Sequence, residues 1–252
     1  MSKHDLAIAP LLMNAAGSLG FSPDLHSAVD WTRLGAFVTN PVSLEPRTPA
    51  HSQRFHAYPG GFLLHTGYPN PGLTQVLRRH VNHWRGSPIP VIVHLLGRNP
   101  EEVEKMVRRL EGAEGIMGVE VGVTSDAGIV QVVSLTQAAS GELALIMRLP
   151  VERAAELGRA AVQAGASAVS LAPPRGAYPA ANGEIIQGRL YGPSVLPLAL
   201  KAVQELTRLG VPTIGGGGVY SHQDMDAMLA EGALAVQLDS VLWRDAGAKL
   251  FF

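Results

Sequence analysis

The sequence of 252 residues contains no cysteine, so disulfide bonds, thiolate zinc sites and a cysteine nucleophile are excluded. Charged residues are scarce at 16%, and the formal net charge of -1 gives no electrostatic reason to expect a nucleic acid or an anionic membrane as partner. No apolar run approaches the ~20 residues that span a bilayer, and we expect no signal peptide at the start of the chain. These absences fit a protein of the reducing cytoplasm.

The chain is instead rich in apolar residues, at 46%, and it has 28 glycines and 18 prolines. This composition is typical of a folded protein with many loops rather than of a disordered one. Its length is the usual length of one barrel domain. Because no linker interrupts it, we predict a single domain over residues 1–252.

Eight short apolar runs, most of them without polar alternation, are typical of parallel strands buried on both faces. They cover residues 11–14, 36–39, 91–95, 118–121, 143–149, 168–171, 213–215 and 235–238. Helical patterns separate them: one begins after Asn99, a predicted N-cap, and others cover 151–164, 193–209 and 221–231. The alternation predicts an α/β fold, a (β/α)8 TIM barrel, with a doubly wound open sheet as the alternative.

Two connections are too long for simple turns, and they cover residues 40–72 and 172–192. Each follows a predicted strand, so both leave the carboxyl-terminal mouth of the predicted barrel. Function concentrates at that end of such barrels. We therefore expect two long loops on the active face.

The end of the chain has two strand patterns that finish in residues suited to an anion. Residues 213–219 read Thr-Ile-Gly-Gly-Gly-Gly-Val, and residues 235–240 read Ala-Val-Gln-Leu-Asp-Ser. Glycines let bare backbone amides approach a ligand, and the last two units of a (β/α)8 barrel often hold a phosphate group. We interpret this region as a phosphate site, the alternative being that the glycines form only a flexible turn.

Motifs from both halves of the chain together resemble dihydroorotate dehydrogenases, nearly end to end. In the first half they are Leu12-Met-Asn-Ala-Ala-Gly17, Gly35-Ala-Phe-Val-Thr39, Leu44-Glu-Pro-Arg47, Pro59-Gly-Gly61, Gly67, Asn70-Pro-Gly72 and Pro90-Val-Ile-Val93. In the second half they are Tyr191-Gly-Pro193, Ile214-Gly-Gly-Gly-Gly-Val219 and Gly232-Ala-Leu-Ala-Val-Gln237. Each motif alone is weak, but the ordered combination is specific.

The resemblance implies a barrel that carries flavin mononucleotide (FMN) at its mouth and oxidises dihydroorotate to orotate, the redox step of pyrimidine synthesis. It implies that the flavin ring lies near Ala15, Ala16, Gly17, Thr39 and Arg148. It implies that the phosphate lies at Gly192, Gly216, Gly217, Gly218 and Ser240.

The departures from the family pattern fall on the substrate and the chemistry. Asn40 stands where the family has a lysine, and Leu64, Gly122 and the Ala172-Pro173 pair stand where it has substrate-binding asparagines. Arg148 replaces a lysine beside the flavin, and Asp239 replaces a glycine beside the phosphate. Several such losses would abolish useful binding of dihydroorotate, at ~1–3 kcal/mol for each lost partner.

The remaining candidates have open roles. Ser125 matches the family's catalytic base, although a solvated loop serine is the other interpretation, because serine is a poor base. Arg148 either stabilises a reduced flavin or pairs with Glu120 on the neighbouring strand. His94 either faces the mouth or is a core histidine.

The predicted substrate contacts are Asn40, together with His65 and Thr66 in the loop that replaced a family asparagine. No spacing of three histidine ligands emerges, so we predict no metal site.

Three functions remain open at this point. The first is an FMN oxidoreductase with a small-molecule substrate that differs from dihydroorotate. The second is a pseudoenzyme or binding protein that keeps the barrel without the redox reaction. The third is an isomerase or lyase that acts on a phosphorylated metabolite. A homodimer is compatible with each of them.

Overall fold

The computed structural model describes residues 6–27, 29–51, 55–179, 183–243 and 251. Within them, strands β1 to β13 span Leu12–Asn14, Phe37–Val38, Val42–Ser43, Phe55–Tyr58, Gly61–Leu64, Val91–Leu96, Ile116–Gly122, Ala144–Pro150, Ala168–Ala172, Arg175–Pro179, Ile185–Tyr191, Thr213–Gly216 and Ala235–Leu238. Helices α1 to α6 span Leu73–Arg85, Pro100–Glu111, Ile129–Ala139, Ala154–Gln163, Leu196–Arg208 and His222–Ala230. Short 3-10 helices span Trp31–Arg33, Val151–Arg153, Pro193–Val195 and Ser240–Trp243.

Eight parallel strands, one for each predicted apolar run, form the barrel in the order β1, β13, β12, β9, β8, β7, β6, β2. A parallel bridge between Met13 and Ala36 joins the two ends of this order. The Asn14 side chain strengthens the junction, because its Nδ2 donates to the Val38 carbonyl at 2.7 Å and its Oδ1 accepts from the Val38 amide at 2.9 Å. The (β/α)8 prediction is confirmed, and the open-sheet alternative is wrong.

The core lies in two layers that follow from strands buried on both faces. Side chains such as Met13, Ile92, Ile146 and Ile214 cluster with one another inside the barrel. A larger cluster fills the space between the outer faces of the strands and the helices. This dense packing holds the strand ends in fixed positions, and the site residues stand on those ends.

Local signals place the helices close to their predicted bounds. Asn99 accepts a hydrogen bond from the Glu102 amide at 2.9 Å and caps α2, as the sequence predicts. Ser221 and Asp224 form a reciprocal capping box at the start of α6. The predicted helices at 151–164 and 193–209 each open with a 3-10 turn before the α-helix, which is common at helix amino termini.

The two long connections contain strands where the sequence analysis predicted only loops. Strands β4 and β5 come from the first connection and β10 and β11 from the second, and they form an antiparallel sheet in the order β10, β11, β5, β4. We call it the mouth sheet. Its two halves meet where β5 pairs with β11, with Phe62 opposite Tyr191. Strand β3, also in the first connection, pairs in parallel with the end of β6.

Among the residues that the structure describes, no helix combines the length and apolar character needed to cross a membrane.

Candidate active site

A cavity of about 730 Å³ opens at the carboxyl ends of β6 to β9, beneath the mouth sheet. The strand ends contribute His94, Gly122, Arg148 and Ala172 to its walls, and the mouth sheet contributes Tyr191. Its size is that of a small-molecule site. The cavity is therefore at the end of the barrel where the sequence analysis expected function.

The floor of this mouth is a network centred on Glu120, which is fully buried in β7. Its Oε2 accepts from His94 Nδ1 at 2.6 Å and lies 3.5 Å from Arg148 Nη1. Its Oε1 accepts from Ser170 Oγ at 2.6 Å and from Gln237 Nε2 at 2.9 Å. Four strands thus send a side chain to one carboxylate, so the pairing of Arg148 with Glu120 that the sequence suggested is present.

This network fixes the protonation states of its members. Burial alone would raise the pKa of Glu120, but the Arg148 guanidinium and the His94 hydrogen bond outweigh it and hold that pKa far below its usual range. Burial lowers the pKa of His94 and outweighs the opposite effect of Glu120. Since an ionised Glu120 can only accept, we assign a neutral His94 with its proton on Nδ1.

The second ring nitrogen of His94 faces the cavity at Gly122. A Cβ added at Gly122 would lie 3.1 Å from His94 Nε2 and 3.3 Å from its Cε1. Within the described part of the chain, Nε2 has no hydrogen-bond partner, while Nδ1 is held by Glu120. The absence of a side chain at Gly122 therefore leaves room for an oriented, unprotonated imidazole nitrogen.

The predicted substrate residues divide into two groups. His65 and Thr66 line the cavity. Asn40 does not, and its Oδ1 instead accepts from the Gly20 amide at 3.2 Å. Ser125 lines the cavity from the exposed loop after β7, and no described side chain lies within hydrogen-bonding distance of it to act as its base.

The predicted phosphate residues come together at the ends of β12 and β11. Gly192, Gly217 and Gly218 all have positive φ, at 119°, 105° and 74°. A Cβ at Gly218 would lie 2.4 Å from the Leu196 amide nitrogen and 3.1 Å from the Gly192 carbonyl oxygen. Only glycine fits so close an approach of two backbones, and the contact sets the turn at Gly217 and Gly218 against Leu196, the first residue of α5. We call Gly192, Gly217 and Gly218 the glycine cradle; amides at a helix amino terminus suit a phosphate group. Gly216 is paired with Gln237 in the β12–β13 ladder.

The predicted flavin-ring residues lie at the same end of the barrel, on the side of β1 and β2. The Ala15 amide donates to the Leu238 carbonyl at 2.7 Å, so the loop with Ala16 and Gly17 starts beside the end of β13. Thr39 is fully buried, and its Oγ1 accepts from the His94 amide at 3.1 Å. Of the whole predicted cofactor set, Arg148 is the residue that also lines the cavity.

Asp239 and Ser240 complete this region. Asp239 Oδ1 accepts from the Ser240 amide at 2.5 Å and from Ser240 Oγ at 3.0 Å. Ser240 Oγ also lies 3.0 Å from the Tyr220 hydroxyl, two residues beyond Gly218. Burial raises the pKa of the Asp239 carboxyl, against the lowering effect of its hydrogen bonds to Ser240.

The charges around the cavity are predominantly positive. The lining arginines are Arg47, Arg98, Arg148, Arg175 and Arg189. The lining acids are Asp126 and Glu152. The Arg189 guanidinium is held over the Tyr68 ring, 4.4 Å from its centroid. Such an excess of arginine favours a small anion.

An aromatic cluster that the sequence analysis missed covers the side of the mouth next to the glycine cradle. Phe62 of β5, Tyr191 of β11 and Trp243 of the last 3-10 helix have ring centroids 5.3 to 5.8 Å apart. Only Tyr191 carried a signal, because it directly precedes Gly192 in a recognised motif.

The fold and the site together define a (β/α)8 barrel whose mouth holds a cavity lined by more arginines than acids. The family model described as dihydroorotate dehydrogenase matches residues 4–144. The catalytic subunit of dihydroorotate dehydrogenase B (NAD(+)) from Trichlorobacter lovleyi is 30% identical over 90% of this chain and 82% of that protein. The subunit of the same name from Pelobacter propionicus is 31% identical over the same shares of the two chains.

A solved structure supports the fold independently. The crystal structure of dihydroorotate dehydrogenase from Eimeria tenella in complex with ferulenol superposes with a TM-score of 0.71, at 14% identity, over 90% of this chain and 75% of that chain. The present chain belongs to the dihydroorotate dehydrogenase family, whose members are FMN-dependent oxidoreductases.

Proposed function

We propose that this protein is an FMN-dependent oxidoreductase that acts on a small organic anion other than dihydroorotate. The observation that carries the proposal is the rebuilt substrate side of the mouth. Leu64 and Gly122, which the sequence resemblance matches to substrate asparagines, line the cavity together with several arginines and His94, whose ring is held by the buried Glu120. The cradle of glycines on the other side keeps the family pattern.

The residues that would hold FMN lie along the side of the glycine cradle. Its phosphate would lie at Gly192, Gly217 and Gly218, and its ring near Ala16 and Arg148. When bound, FMN supplies a hydride acceptor for the oxidation.

His94 is the best placed base of this mouth. Its Nε2 faces the cavity and accepts a proton from the substrate, and the Glu120 carboxylate stabilises the imidazolium that forms. Arg148 keeps Glu120 ionised throughout. Ser125, the predicted base, has no such orienting partner in the described part of the chain, so we assign the proton transfer to His94 instead.

Dihydroorotate is a poor match for this cavity. Each lost transition-state contact of ~1.4 kcal/mol lowers the rate tenfold, and the amide partners at Leu64, Gly122 and Ala172 are absent together. The arginines instead favour carboxylates that need no amide recognition. We therefore expect the substrate to be an anion held mainly by charge.

The first experiment is the visible spectrum of the freshly purified protein, followed by anaerobic bleaching of the flavin band near about 450 nm. A panel of small carboxylates, with dihydroorotate included, is offered first without an electron acceptor for the bleaching and then with a dye as acceptor for steady-state turnover. We expect a yellow protein that is bleached by a member other than dihydroorotate. An efficiency with dihydroorotate above about 10³ M⁻¹s⁻¹, a tenth of the lower end for ordinary enzymes, would contradict the proposal.

A pseudoenzyme or binding protein that keeps the barrel without the redox reaction is the second candidate, and the carboxylate at Asp239 favours it because an anion already occupies the Ser240 donors that a flavin phosphate would need. A colourless protein that binds small carboxylates but no flavin would support this candidate over the first.

A further inference from the structure

Asp239, the residue after the end of β13, carries a buried carboxyl group. It is 6% exposed, and in the described part of the chain no arginine, lysine or histidine nitrogen forms an ion pair with it. Arg148 lowers the pKa of Asp239 by a Coulombic interaction, without an ion-pair contact. Its side chain accepts hydrogen bonds from the amide and the hydroxyl of the next residue, Ser240, and from its own backbone amide. A buried charge held so weakly is costly, which calls for a reason beyond local structure.

The position of the Asp239 carboxylate explains why an acidic group is buried there. It lies between the end of β13 and the 3-10 helix Ser240–Trp243. Ser240 is linked through Tyr220 to the turn that contains Gly217 and Gly218. The carboxylate therefore occupies the donors of Ser240, the residue that the family resemblance places at the phosphate beside the glycine cradle.

We propose that Asp239 is an internal anion that holds the Ser240 donors of the cradle, so that a bound phosphate group must displace it. The inference rests on the proposed function in that FMN is the ligand whose phosphate would enter. The carboxylate and the phosphate compete for the same amide and hydroxyl, and they repel each other at close range. FMN is therefore held more weakly than the glycine cradle alone would allow.

Two variants separate this role from that of a local cap. Asp239→Asn keeps an acceptor for the Ser240 amide but removes the charge, and Asp239→Gly removes both. Asp226→Asn is the matched control, because it removes an exposed acidic charge from α6, the helix that follows the cradle. If Asp239 only caps the 3-10 helix Ser240–Trp243, both Asp239 variants should have lower thermal stability and unchanged or weaker FMN binding.

The measurement is the dissociation constant of FMN, from quenching of its fluorescence by flavin-stripped protein. Riboflavin, which lacks the phosphate, is titrated in parallel. We expect Asp239→Asn and Asp239→Gly to bind FMN at least about tenfold more tightly than the wild type, since like charges close together shift such equilibria by that order or more. Riboflavin should bind with the same constant to the wild type and to every variant.

Other results would overturn the inference. If FMN binds the wild type and both Asp239 variants within twofold, Asp239 does not compete and the proposed function still stands. If the variants bind riboflavin and FMN more weakly alike, Asp239 contacts the flavin elsewhere, and the inference is wrong. If no form of the protein binds FMN, the proposed function fails together with the inference.

Discussion

Replacing Glu120 with glutamine tests the network on which the proposed chemistry depends. Glu120 is fully buried and accepts from His94, Ser170 and Gln237 while it faces Arg148. The glutamine side chain has one acceptor oxygen where the carboxylate has two, so its NH₂ group would face another donor, such as the side-chain amide of Gln237. The buried Arg148 would also lose its counter-charge. Removing one member of a buried ion pair costs about 3–5 kcal/mol. With a urea slope of about 3 kcal/mol/M, the unfolding midpoint should fall by about 1 to 1.7 M.

The control for this variant is Glu205→Gln, which breaks the exposed pair with Lys201 on α5. It should leave the midpoint nearly unchanged, because exposed pairs contribute little. The double variant Glu120→Gln/Arg148→Met should be less destabilised than Glu120→Gln alone, since it removes the orphaned cation as well. A loss below about 1 kcal/mol for Glu120→Gln would show that the buried charge is not the organising group that the distances indicate.

Three further predictions concern the base, the cradle and pH. His94→Asn should lower turnover of the best carboxylate by about 10²–10⁴-fold with unchanged flavin content, whereas Ser125→Ala should lower it less than tenfold; equal effects would contradict the assignment of the base. Gly217→Asp should abolish flavin retention, because its φ is 105° and a Cβ there lies 3.3 Å from Val195 Cγ1, while Gly128→Ala, with open space around it, should not. The free energy of unfolding should fall as pH drops below about 6.5, the pKa of an unfolded histidine, because the folded state holds the pKa of His94 lower and so binds fewer protons. This slope, measured as the urea midpoint between pH 5 and 8, should be shallower in His94→Asn.

Much of the barrel could be predicted because its signals are local. A strand buried on both faces is apolar throughout, and an N-cap residue such as Asn99 indicates that a helix follows. The pairing of Arg148 with Glu120 could also be predicted, since both lie near the ends of neighbouring parallel strands. These features could be predicted from the order and spacing of residues along the chain alone.

The remaining features depend on contacts between distant segments. Strand β4 has side chains that alternate only between exposed and half-buried, so it lacks the apolar pattern of a core strand. The bond from Gln237 to Glu120 exists because barrel closure brings β13 opposite β7. The sequence shows that an acidic residue, Asp239, stands beside the predicted phosphate site. That its carboxylate accepts from the Ser240 donors is visible only in the three-dimensional structure.

The seam of the mouth sheet has a consequence for how the protein folds. Its three residue pairs join Phe62, Leu63 and Leu64 to Tyr191, Leu190 and Arg189, from opposite halves of the chain. Such distant pairs raise the contact order, and their closure entropy is repaid only once both partners are held in place. The cavity therefore cannot acquire its roof from either half of the chain alone. A chain that stops before β11 can build early strands and helices, but it has no enclosed site in which a substrate could be trapped.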